Sequence, residues 1–281
     1  MAGKLVLVSG ATGQQGGAIA RNLLNAGFSV RGMTRKPDGD AAKALAGLGA
    51  EIVQGDLDDA ASIEAAMKGA WGAFSVQNTW EAGVEKEEAQ GKQFADLAKK
   101  AGIAHLVYSS VGSAHRNTGV PHFDNKARVE KHIAGLGLPS YVVLRPVFFM
   151  ENMQTFFAPD ENGNIYVAMS PSTKLQMVAV QDIGKYGLLG FQKAAELNGQ
   201  AIDFAGDELT IPEAAAIIGD VTGKKVQHVQ ANIEDVRAYS EDMALMFEWF
   251  ESTGYDANIA TQEQRFGIHP TSFREWAKSA Y

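Results

Sequence analysis

Val6-Leu7-Val8-Ser9-Gly10-Ala11-Thr12-Gly13-Gln14-Gln15-Gly16-Gly17 carries a short apolar strand into a glycine-spaced turn and on into a helix. Each glycine has a task in such a turn. Gly10 lets the chain leave the strand tightly, Gly13 lets backbone approach a pyrophosphate with no Cβ between them, and Gly16 lets the helix pack close to the sheet. The free N–H groups of the first helical turn then face an anion, and the helix dipole favours the same charge. The spacing is G-x-x-G-x-x-G rather than G-x-G-x-x-G, so context has to support it. It does: Lys4 to Ser9 reads as a buried parallel strand, and Ala18, Ile19, Leu23, Leu24 and Ala26 continue a helix that stops at Gly27. Gly10, Thr12, Gly13, Gln14, Gln15 and Gly16 are therefore expected to cradle a dinucleotide.

Outward from that turn the first half alternates short β-branched runs with helical stretches, the pattern of a parallel sheet covered on both faces. Strands are expected at Lys4–Ser9, Ser29–Thr34, Glu51–Gln54, Ala73–Val76, His105–Ser109 and Tyr141–Leu144. A helix is expected over Val84–Ala101, where Gly91, Phe94, Ala95, Ala98 and Ala101 fall three or four apart. Right-handed crossovers make this a Rossmann-type doubly wound α/β sheet, with the ligand crevice beyond the strands' carboxyl ends. After Arg145 the pattern loosens. Helices are expected over Gln181–Ala194 and Ile211–Val221, a strand over Gln200–Phe204, and a mostly helical tail from Glu234 carries Phe247, Trp249, Phe250, Phe266, Phe273 and Trp276. The expected division is 1–152, with 174–195 returning to it, as the dinucleotide-binding domain, and 153–173 with 196–281 as a smaller, mostly helical α/β substrate or partner region.

Charge and composition exclude several classes. Lys plus Arg number 25 against 33 Asp plus Glu, a net charge of -8, which gives no general attraction to nucleic acid or to anionic membrane. The absence of cysteine removes disulfides, thiol nucleophiles and thiolate metal sites. His105, His115, His122, His132, His228 and His269 show no metal-ligand spacing, so no metal is expected. No apolar run approaches the ~20 residues of a membrane helix. Leu5-Val6-Leu7-Val8 is too short for a signal peptide, so the expected location is the cytoplasm.

The other strand ends supply the rest of the site. Where an NAD-preferring unit places an acidic residue on the ribose, this chain reads Thr34-Arg35-Lys36. Arginine forks onto a 2′-phosphate, with Lys36 as a second charge and Thr34 as a hydroxyl, which favours NADP(H) over NAD(H). Asp56 is placed to accept from an adenine amino group and Leu57 to pack on the ring, while Asp58 or Asp59 caps the next helix. Gln77, Asn78 and Thr79 suit the central ribose. In Pro121-His122-Phe123-Asp124-Asn125-Lys126, Lys126 lies on one stripe with Val129, Ile133 and Leu136, where it needs a polar partner that ribose hydroxyls would supply. Ser109 and Ser110 are placed to hydrogen-bond a substrate or to brace their loop.

Gly10-Ala11-Thr12-Gly13-Gln14-Gln15-Gly16, Thr34-Arg35, Gly55-Asp56-Leu57, Gln90-Gly91-Lys92, His122-Phe123-Asp124-Asn125-Lys126 and Arg145-Pro146-Val147-Phe148-Phe149-Met150-Glu151-Asn152 together resemble the NmrA-like branch of the atypical short-chain dehydrogenase/reductases. The resemblance is greatest to its NADP(H)-sensing members. It implies that Pro146, Val147, Phe148, Phe149 and Asn152 join the cofactor-binding set. It also implies that Lys126 holds the ribose, and that His122 stands where the wider superfamily has its proton-donating tyrosine. As a donor His122 is weakened by the positive charge of Lys126 one turn later. The resemblance thus implies a redox-state sensor, with a regulatory protein partner and little or no dehydrogenase activity. The second reading is an NADPH-dependent reductase of a small quinone or enone, with Lys126 and His122 as its catalytic residues.

Overall fold

The computed structural model describes residues 3–281. The chain clusters into two compact units, one holding the residues up to Val111 with Asn125–Arg145 and Ile183–Ile202, the other holding Gly112–Asp124, Pro146–Asp182 and Asp203–Tyr281.

A seven-stranded sheet organises the first unit, built from β1 (Leu5–Val8), β2 (Ser29–Thr34), β3 (Glu51–Gln54), β4 (Gly72–Ser75), β5 (His105–Ser109), β6 (Tyr141–Pro146) and β10 (Ala201–Phe204). Its order is β10-β6-β5-β4-β1-β2-β3. The ladders β1–β2, β1–β4, β2–β3, β4–β5 and β5–β6 are all parallel. β1 lies inside the sheet, between β4 and β2, and its apolar run suits that place: Val6, Leu7 and Val8 are wholly buried. The sheet gains a strand over the expected six, since β10 joins beside β6 rather than in the C-terminal region. The other elements of this stretch are α1 (Gln14–Asn25), α2 (Asp40–Gly47), α3 (Ala60–Met67), α4 (Thr79–Ala82), α5 (Val84–Lys100), α6 (Pro121–Gly135) and α7 (Val180–Gln192).

One face of the sheet buries Leu7, Ala73, Leu106 and Tyr108 against Ile63 of α3, Phe94 and Ala98 of α5, and Val129 and Ile133 of α6. Each such aliphatic or aromatic side chain taken from water contributes about 1.5–3 kcal/mol. The α5 stripe is buried at Gly91, Phe94, Ala95 and Ala98, while Ala101 is exposed because the helix has ended at Lys100. α7 is tied to β5 by His105, whose Nε2 meets the Gly190 carbonyl at 3.0 Å and whose ring meets Phe191 edge-on.

The second unit contains β7 (Phe148–Phe149), β8 (Asn164–Val167), β9 (Lys174–Val178), β11 (Asp207–Thr210) and β12 (Gln227–Gln230), with α8 (Ile211–Thr222), α9 (Ile233–Tyr239), α10 (Glu241–Ser252), α11 (Ile259–Phe266) and α12 (Phe273–Ala280). Its strands form a three-stranded sheet, β11-β9-β7, and a β12-β8 pair. An aromatic cluster fills its core. Phe123 packs on Trp249, Phe250 and Tyr255, which is why the strip Gly112–Asp124 clusters with this unit. The Glu151 carboxylate accepts from the Val180 N–H at the start of α7 and from Trp276 Nε1, linking three distant stretches of chain. No helix among the described residues is long and apolar enough to cross a membrane.

Candidate functional site

The parallel register brings the carboxyl ends of β1 to β5 to one edge: Val8 lies beside Gly32 and Phe74, Thr34 beside Gln54, and Ser75 beside Tyr108. At the end of β1 the chain turns through Gly10 at φ 58, the left-handed region that costs glycine little. A Cβ on Gly16 would stand 2.2 Å from the Gly10 carbonyl oxygen, so only glycine lets the first turn of α1 fold back against the strand end. α1 has no side-chain N-cap and no acidic residue in its first turn. A helix start with uncapped N–H groups and no negative charge of its own suits an oxyanion. Thr12 reaches β2 through a 3.2 Å hydroxyl contact with Thr34, and Gln15 Oε1 accepts from Ser109 Oγ at 2.6 Å.

At the end of β2, Arg35 is exposed and pairs with Glu81 of α4 at 2.6 Å. Lys36 donates its backbone N–H to the Thr34 hydroxyl. At the end of β3, Asp56 accepts from the Asp58 N–H, Leu57 is half-buried against the α3–α5 core, and Asp59 caps α3 through the Ala61 N–H. Asp58 faces Lys86 and Gln90, whose hydrogen bonds hold its carboxyl below the ordinary value. At the end of β4, Asn78 caps α4, and Gln77 donates to Ser75. Gln77 Oε1 and Ser110 Oγ are buried and make no hydrogen bond among the described residues. Unmet polar atoms in the interior mark places for a ligand or ordered water.

Lys126 has a protein partner. Its Nζ lies 2.6 Å from Glu87 Oε1, with side-chain exposures of 12% and 2%. Glu87 also accepts from Asn125 Nδ2 at 2.8 Å and from the Thr79 hydroxyl. Burial pushes the Glu87 carboxyl upward, but the charge of Lys126 and the three hydrogen bonds outweigh it and hold it below its ordinary value. Sequence reasoning passed over Glu87, although it lies one turn before Gly91 on the buried stripe of α5, where a lone carboxylate signals a cationic partner. Tyr108 is fully buried, and burial with the charges of Glu87, Glu130 and Glu88 raises its phenol well above the ordinary value.

The remaining candidates lie in the second unit. His122 Nδ1 meets Asp242 Oδ1 of α10 at 2.7 Å, so the charged group bonded to it is a carboxylate. Phe148 and Phe149 form β7 beside Met177 and Val178. The Phe148 ring packs on Phe157 and Phe250, Val147 and Pro146 are buried, and the Asn152 carbonyl ends a turn by accepting from Thr155 and Phe157. Gly112 is held against Val147 and Tyr255, where a Cβ would lie 2.9 Å from each. The described residues contain no group of three or more His, Asp or Glu able to hold a metal ion.

The sequence profile of the NmrA-like family matches residues 2–277. The chain belongs to the NmrA-like family. Among relatives, the NmrA-like family domain-containing oxidoreductase FrzB of Cladobotryum sp. is 30% identical over 285 residues, covering 89% of this chain and 84% of that protein. Among solved structures, an NADPH-dependent quinone oxidoreductase from Escherichia coli superposes with a TM-score of 0.80 at 22% identity, covering 98% of this chain and 99% of the other. NmrA, a negative transcriptional regulator crystallised with NADP, gives 0.76 at 22% identity over 100% of this chain and 92% of its own. The same regulator has also been crystallised with NAD. At such identities the solved structures speak for the Rossmann-type fold alone.

Proposed function

We propose that this NmrA-like protein binds NADP(H) along the carboxyl edge of its seven-stranded sheet and works as a sensor of the cofactor's redox state, with little or no dehydrogenase activity. In this reading the start of α1 holds the pyrophosphate and Arg35 the 2′-phosphate. Asp56 and Leu57 take the adenine, Gln77 to Thr79 the central ribose, and Lys126 the nicotinamide ribose. The second unit, which holds His122, Pro146, Val147, Phe148, Phe149 and Asn152, serves as the substrate or partner region. When bound, the reduced dinucleotide supplies a hydride.

One observation carries the regulatory reading: the cradle is built, but the position four residues before Lys126 holds a histidine hydrogen-bonded to Asp242 in place of a tyrosine. Tyr108 does not replace it, because a phenol raised well above its ordinary value by burial is a poor acid. The protein then acts by presenting a different surface to a regulatory protein partner in the cytoplasm when the cofactor changes.

The second reading, an NADPH-dependent reductase of a small quinone or enone with Lys126 as its catalytic group, draws on the unmet Ser110 hydroxyl as a substrate contact. The oxidoreductase name of the relative also favours it. Calorimetry with NADPH, NADP+, NADH and NAD+, followed by cofactor absorbance with a panel of quinones and enones, separates the two. Binding without turnover above background is expected. Turnover that disappears in Lys126→Ala would establish the reductase.

A further inference from the structure

The α4, α5 and α6 segments meet at one buried carboxylate. Glu87, in the first turn of α5, is 1% exposed and receives Lys126 Nζ at 2.6 Å on Oε1, with Asn125 Nδ2 and the Thr79 hydroxyl on Oε2. Asn125 is wholly buried and also donates to the Val84 carbonyl, which fixes α6 against the start of α5. Lys126 has four rotatable bonds and would sweep a wide arc if unrestrained. Tied to a rigid acceptor, its ammonium is confined before any ligand arrives. The same carboxylate holds Thr79, so two points on the sheet's carboxyl edge share one anchor.

We infer that Glu87 is a positioning residue for the cofactor: anchored to Thr79 and Asn125 through one oxygen and to Lys126 through the other, it sets in advance the ammonium that meets the nicotinamide-side ribose of NADP(H). This rests on the reading of Lys126 as a ribose contact. A group fixed in advance spares the ligand the entropy of ordering it, and its loss falls only on ligands long enough to reach it.

The test uses Glu87→Gln in the full-length protein. Glutamine keeps the size but not the charge, so the ion pair that fixes the Lys126 ammonium is lost. Its amide N–H takes the place of Oε2, where the Thr79 hydroxyl oxygen can turn to accept it. Affinities for NADPH and for adenosine 2′,5′-bisphosphate, which lacks the nicotinamide ribose, are measured beside melting curves. The expected result is NADPH binding weakened about tenfold, bisphosphate binding within about twofold of native, and no further loss of NADPH affinity when Glu87→Gln is added to Lys126→Met. Equal weakening toward both ligands would overturn the inference, since general damage does not distinguish them. Additive losses in the double variant would overturn it too. If Lys126→Met fails to fold, the two-ligand comparison on Glu87→Gln decides alone. If Lys126→Met folds and binds NADPH as the native protein does, the reading of Lys126 itself falls, an outcome distinct from failure of the Glu87 coupling.

Discussion

Arg35 and Glu81 show how much one exposed pair decides. Held 2.6 Å apart in water, the two charges contribute at most about 1 kcal/mol to stability. In the proposed NADP(H) reading their weight lies in selectivity, because a 2′-phosphate reaching Arg35 would have to compete with a carboxylate already there. Arg35→Ala is expected to weaken NADPH by about 2 kcal/mol, roughly thirtyfold, and to leave NADH nearly unchanged. Glu81→Gln is expected to act in reverse, tightening NADPH by about two- to fivefold with no gain for NADH. Paired calorimetric titrations read both variants; equal effects on the two cofactors would remove Arg35 from the phosphate site. At this scale the glycines, Arg35 and Lys126 stand out in the sequence as candidates, since each is an unusual residue type at a strand end or on a buried stripe. Glu81 and Asp242 were not, because the residues they bind lie 46 and 120 positions away and nothing local marks either. Glu87 was legible in part: its partner is remote, but its place on the apolar face of α5 is not.

Among the elements, those of the first sheet could be read because each is a short run with apolar residues closed by a turn; β4 and β5 are buried throughout, while the edge strand β3 is only half-buried. Ser29–Thr34, Glu51–Gln54 and His105–Ser109 have the expected bounds. The strands β7, β8, β9, β11 and β12 escaped notice, being two to five residues long with pairings set by distant chain. β10 is legible as a strand over Gln200–Phe204, but its place beside β6 is not, since that pairing leaves no trace in its own sequence. β5 carries a measurable consequence. Burial lowers the His105 imidazole to about 4 from 6.5, helped by Lys4 and opposed by the hydrogen bond to Gly190. Between those values the unfolded chain binds a proton that the fold refuses. The contribution is therefore complete above pH 6.5 and lost as pH falls toward 4, amounting to about 3 kcal/mol. Urea titrations at pH 7 and pH 4.5 should show that loss, and His105→Gln, less stable at neutral pH, should lose correspondingly less over the same interval. Parallel losses in both proteins would mean that His105 is charged in the fold.

For the whole molecule the decisive feature is how the chain is threaded. It passes from one compact unit to the other after Val111, Asp124, Arg145, Asp182 and Ile202. Four of those passages lie inside α6, β6, α7 and β10, which are continuous secondary structure. A helix or strand shared by two units melts in one only by fraying in the other, so heating should give a single cooperative transition. The cofactor contacts proposed for the sheet edge belong to the first unit. A ligand that binds only the folded state stabilises by about 2.7 kcal/mol at a hundred times its Kd. For a chain of this size that moves the midpoint by roughly 5 °C. Scanning calorimetry with saturating NADP+ should then shift the whole endotherm without splitting it. If the cofactor instead separated a late-melting component from an unshifted early one, the units would be thermodynamically independent. A signal arising at the sheet edge would then have no cooperative route to a partner surface in the second unit, and the regulatory reading would need that surface within the first.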